Sequence, residues 1–176
     1  MDVSKIDAAT AQIKTAIRLY FEDRDPISVH TLATAAGEII ALICKARGIA
    51  SMRADFLSNI RPERQKEIID ALNKARNFFK HADQGDPNEI LKDFTDDRNF
   101  IALIFVCNDL ELLGIALPEA RMFGAWVSIV EPQLKQGKIP ADIRAIFGDI
   151  EKRPRAEQKK IGWDAIHYQI YGKLPD

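Results

Sequence analysis

The stretch from Phe100 to Leu113 is apolar nearly all the way round a helix, and Gly114 follows it as a stop signal. A helix of that kind has to be surrounded, so the rest of the chain must supply amphipathic helices to enclose it. It does so: apolar residues recur at three- and four-residue spacing, β-branched residues follow the same rhythm, and no Asn-Gly or Asp-Gly hairpin signal interrupts it. Strands are not expected. The fold class is all-α, read as an up-and-down helical bundle of about four main helices with additional C-terminal helices.

Local signals place the elements. Ser4 with Asp7 starts a helix that runs through Ile13 and Tyr20 to about Phe21. Asp25-Pro26 starts the second, which continues through Val29, Ala36, Ile40 and Ile43 to Arg47-Gly48. Its middle, Ala33 to Gly37, is almost all small, which suits a central position or a subunit interface. A short turn is expected around Ala54 to Leu57. Pro62 opens the third long helix, expected to bury Ile68, Ile69, Leu72, Ala75 and Phe79 before a loop with Gly85-Asp86-Pro87. Asn88 to Phe94 reads as a short helix, and Thr95 as the cap of the apolar one. Pro118 opens a helix containing Phe123 and Trp126 that ends near Pro132. Gly137 and Pro140 bracket a loop, a weaker helix covers Ala141 to Ile150, and a basic, aromatic-rich helix runs from Arg155 to Tyr171. That last one packs back on the bundle or engages a partner.

A length of 176 residues without a flexible linker suits one domain. With 25 basic and 26 acidic residues the net charge is −1, so no overall cationic field draws in nucleic acid. RNA contact would have to be local. Two clusters offer it: Arg61, Arg64 and Lys66 with Lys74, Arg76 and Lys80, and Lys152-Arg153 with Arg155, Lys159 and Lys160; solvated helix faces are the commoner origin of such runs. Cys44 and Cys107 fall in buried helices without metal-ligand spacing, so no metal site and no cofactor is expected. The first residues lack a signal pattern, and the longest apolar run, Phe100 to Cys107, is too short to span a bilayer. The expectation is a cytoplasmic protein with no membrane contact.

Phosphate loops, nucleophile elbows and His-Glu-x-x-His are absent. What remains is Arg76-Asn77-Phe78-Phe79-Lys80-His81. Metal-free RNA cleavage needs a base for the ribose 2′-hydroxyl and a cation for the attacked phosphate. Histidine titrates near neutrality and suits the first, and arginine grips two phosphate oxygens and suits the second. Asn77 could orient either group. Five residues along a helix is about 140° of rotation, so Arg76 and His81 share a face only if the helix ends between them; a two-fold dimer would bring two copies around one cleft.

Arg-Asn-x-x-x-His late in a helical domain of this size resembles the signature of the HEPN superfamily, whose members are helical bundles that often dimerise and are in many cases metal-independent endoribonucleases. The resemblance implies that Arg76 binds phosphate, Asn77 is the polar residue after it and His81 is catalytic, with Lys74, Lys80 and His30 as candidate substrate-binding residues. It implies a HEPN-like core over 1–114, with 115–176 as a C-terminal helical extension of one domain over 1–176. Expected partners are a second copy of the chain, RNA, or a regulatory protein.

A second reading has no enzyme in it. There the chain is a helical interaction module, Arg76 makes a surface ion pair and His81 caps the last carbonyls of its helix. His30, in the first turns of the second helix, lines the cleft of His81 or is an ordinary interface residue. His167 is a packing residue, and Asp109 and Glu111 are carboxylates close to buried surface.

Overall fold

The structure, a computed structural model, describes residues 1–81, 86–134 and 139–175. It is all-helical, with no strand among the described residues. The helices are α1 (Lys5–Phe21), α2 (Pro26–Ala46), α3 (Met52–Ser58), α4 (Pro62–Lys80), α5 (Asp96–Leu112), α6 (Pro118–Val130), α7 (Ala141–Phe147) and α8 (Arg155–Tyr171), with a 3-10 turn at Pro132–Leu134. The turn positions expected at Gly85 and Gly137 lie outside the described residues.

The starts are fixed by caps. Ser4 Oγ accepts from the Asp7 N–H at 3.1 Å while Asp7 accepts from the Ser4 N–H at 3.0 Å, a reciprocal capping box. Asp25 accepts from Ile27 and Ser28 N–H at 3.2 and 3.0 Å, and Pro26 gives up a donor that would have been orphaned anyway. Gly48 leaves α2 at φ 71°, which an L side chain rarely adopts.

Helix α2 lies against α1 and α5 and buries Val29, Ala33, Ala36, Ile40 and Cys44. The small stripe lets α5 come close: a Cβ on Gly37 would stand 3.0 Å from Val106 Cγ2. By length and hydropathy α2 would suffice to cross a membrane (mean 1.7 over 18 residues); here its buried stripe faces α1 and α5. Cys44 and Cys107 are both free and buried.

One hydrophobic cluster runs through both 1–114 and 115–176. Tyr20, Phe21, Phe100, Phe123 and Trp126 form a knot of rings with centroids 5.0 to 6.2 Å apart, and Trp126 is fully buried with Nε1 donating to the Gln158 carbonyl at 2.8 Å. Helix α8 closes over this knot at Gly162, where a Cβ would run into the Phe21 ring and lie 2.9 Å from Trp126 Cδ1. The basic helix thus packs back on the bundle.

Three expectations need correction. Residues 88–94 are not helical. The Asp86 carboxylate accepts from the Asn88 N–H at 2.9 Å in a local turn, Asp93 sits at φ 58°, and Ile90 is 76% exposed with nothing to pack on. Helix α7 ends at Phe147, because Gly148 turns out of it at φ 66°. Of the α4 residues expected in the core, only Ala75 is fully buried; Ile68, Ile69, Leu72 and Phe79 are half-buried, since α4 lies along α2 at the flank of the bundle.

Candidate functional site

Helix α4 runs unbroken through Lys80, and His81 is its C-cap. The His81 N–H still bonds the Asn77 carbonyl at 3.0 Å, so the helix does not end between Arg76 and His81. At about 100° per residue the expected site residues fall on two faces. Arg76 and Lys80, four apart, point toward α2. His81, Asn77 and Lys74 lie roughly 100 to 160° round from Arg76, with Phe78 beside them; Lys74, Asn77 and Phe78 are exposed, and His81 is half-buried.

The α2-facing set converges on one carboxylate. Arg76 Nη1 lies 2.8 Å from Glu38 Oε1 and Lys80 Nζ 2.8 Å from Glu38 Oε2, so one anion from α2 is clamped by two cations from α4. Asn77 Oδ1 accepts from Arg76 Nε and Nη2 at 3.1 and 2.9 Å, which fixes the plane of the guanidinium. Three of its five N–H groups are thereby used, and two remain for a phosphate. The charges of Arg76 and Glu38 also reach the half-buried Arg53, whose Nη2 donates to Asn73 Oδ1 at 2.7 Å.

His30 is enclosed rather than lining an open cleft. It is 3% exposed, its Nδ1 is 3.0 Å from Asn99 Oδ1, and the rings of Phe79 and Phe94 stand edge-on to it at 5.9 and 5.3 Å. Burial pushes its imidazole below the ordinary histidine range; the Asn99 bond opposes this, and Arg98 and Arg76 add to it. Among the described residues no hydrogen bond or ion pair joins Arg76 to His81, and the His81 ring makes no hydrogen bond.

The two basic clusters are largely neutralised at home. Arg64 pairs with Glu67 and Lys66 with Asp70, both within one or two turns of α4. In the C-terminal cluster Arg153 pairs with Glu157, Arg155 with Glu131, Lys160 with Asp164, and the buried Lys159 with Asp23 and Asp96. Arg155 also lies over the rings of Phe100 and Trp126. Arg155 and Lys159 hold α8 to the bundle while Arg153 and Lys160 pair within one turn, and little is left there to grip a polyanion.

His167 packs between Trp163 and Tyr171, with Nδ1 donating to the Lys173 carbonyl at 2.9 Å. Asp109 is buried and accepts from the Met52 N–H at 2.6 Å, capping α3; burial holds its carboxyl above the usual range. Glu111 is exposed. Among the described residues no group of three or more His, Cys, Asp or Glu is placed to hold a metal ion.

Sequence reading missed Glu38, Arg53, Asn99 and Phe94. Asn99 carried a signal, because an amide in the most apolar helix is buried and must find partners. The other three depend on pairings between distant segments. No family model, no curated protein and no solved structure matches the chain.

Proposed function

We propose that the chain is a HEPN-like, metal-independent endoribonuclease that works as a two-fold homodimer in the cytoplasm. Its four main helices would form an up-and-down core, and the working groups would come from the C-terminal end of α4. Arg76 is the phosphate-binding cation, Asn77 its orienting partner and His81 the base or acid, with Lys80 and Lys74 supporting the substrate backbone. The observation that carries this reading is the state of Arg76. Its guanidinium is fixed in plane by Glu38 and Asn77 while keeping two donors free, as a pre-set phosphate grip requires. His81, about 140° away on the same helix, would meet an arginine from the second copy, so the dimer is part of the site.

A second reading is favoured by the same ion cluster. If Glu38 neutralises Arg76 and Lys80 for structural ends alone, the chain is a helical interaction module binding a regulatory protein, and the motif is the seam between α2 and α4. Cleavage of end-labelled RNA in EDTA separates the two. The nuclease reading expects 2′,3′-cyclic phosphate ends, lost in both His81→Ala and Arg76→Ala. No cleavage of varied RNAs by any form leaves the interaction module.

A further inference from the structure

The tautomer of His30 follows from its neighbours. Asn99 Nδ2 donates to the Pro26 carbonyl and to Asp96 Oδ1, both at 3.0 Å, which turns its Oδ1 toward His30 Nδ1. A carbonyl oxygen only accepts, so Nδ1 carries the proton and Nε2 the lone pair. That Nε2 is buried with no partner among the described residues. The second oxygen of Asp96 is taken by Lys159, which also pairs with Asp23 at 2.8 Å. A chain of contacts from α8 through α5 therefore pins the imidazole on one side.

Among the described residues no acceptor reaches the rest of the ring. Phe79 of α4 and Phe94 of the 86–95 segment cover the ring. Among the described residues the charges that bear on it are Arg98 from α5 and Arg76 from α4, both positive. Asp96 is engaged by Lys159 and Asn99, and Glu38, further along α2, by Arg76 and Lys80. On α2 itself the Thr34 hydroxyl donates to the His30 carbonyl at 2.7 Å and leaves the ring untouched.

We propose that His30 is an acid-sensitive latch: a proton taken up at Nε2 releases the C-terminal half of α4 together with the segment around Phe94. Protonation turns an idle lone pair into a charged donor with no acceptor among the described residues, set against two phenyl rings and under the positive charge of Arg98 and Arg76. Relief comes where the fold is held least, because Ala75 is the one fully buried residue of α4 and Phe79 is itself half-buried. Once released, the imidazole regains the ordinary value of about 6.5; docked, it lies lower. Docking is therefore strongest above that value and weakens as pH falls toward the docked one. The segment set free carries Arg76 to His81, so the latch imposes acid dependence on whatever those residues do. It stands whether or not the motif cuts RNA.

Hydrogen exchange of the full chain at pH 7.5 and 5.0, corrected for intrinsic rates, tests this. Peptides over 72–81 and 86–94 should lose protection, the opening constant rising by up to about tenfold per pH unit, while α1, α2 and α5 keep theirs. His30→Gln retains a donor for Asn99 and does not titrate, so it should abolish the pH dependence. The imidazole titration of His30 in the unaltered chain, followed by NMR, gives a readout independent of how that variant folds, and it should lie below 6.5. Equal protection at both pH values, uniform loss across all helices, pH dependence that survives in His30→Gln, or a His30 titration at or above the ordinary value would each overturn the latch.

Discussion

Helices α2 and α4 are nearly equal in length, 21 and 19 residues, and lie against each other, yet α2 buries six residues and α4 one. Helix α2 is inserted between α1 and α5 through small side chains and is held by packing. Helix α4 is held at its seam with α2 by the Glu38 clamp and by Phe79 on His30. The difference separates what keeps the fold from what is offered to a partner. Substitutions in the first region should cost stability throughout the chain, and those in the second should act locally and on binding.

The sharpest test of the packed core to which α2 belongs is Trp126→Ala, on α6. Emptying a fully buried indole and removing its hydrogen bond to the Gln158 carbonyl should cost about 3–5 kcal/mol, read as a fall in Tm by thermal denaturation. Gly162→Ala adds a methyl group where Phe21 and Trp126 leave no room, and should cost about 1–3 kcal/mol by urea denaturation. In the second region, Phe79→Ala removes a half-buried ring and should cost about 1 kcal/mol, with the loss of exchange protection confined to α4 and the 86–94 segment. A global loss there would erase the contrast between the two helices.

The smallest stability effect is expected for Glu38→Gln. Its side chain is 39% exposed, so loss of the clamp should shift folding by less than about 1 kcal/mol. The same change frees Arg76 and Lys80. Affinity for a single-stranded RNA oligonucleotide should rise, with a salt slope steeper by about 0.7 for each phosphate newly contacted. Unchanged affinity and slope would assign the clamp to structure alone.

Much of the helical layout was legible because its signals are local. The Ser4/Asp7 box, Asp25-Pro26, Gly48 and Gly114 each act within one turn, and each marks an observed boundary. Where a boundary depended on what a segment packs against, sequence was silent: residues 88–94 have helical composition, but Ile90 has no surface to meet and the Asp86 turn prevails. The candidate site was legible as residue types. Its geometry was not, because Lys80 meets Glu38 across 42 positions and Lys159 meets Asp96 across 63. Nor did the periodicity of α4 reveal how lightly it is held, since the spacing marks an apolar face without saying how much of it is covered.

If Arg76 and His81 act together across two copies of the chain, mixing the two inactive variants restores cleavage. Arg76→Ala and His81→Ala, co-refolded, should form half heterodimers, each with one complete site of two, and so recover about a quarter of unaltered cleavage in EDTA. No recovery, when the unaltered chain cleaves and the mixture contains heterodimers, would contradict a site built across the two-fold.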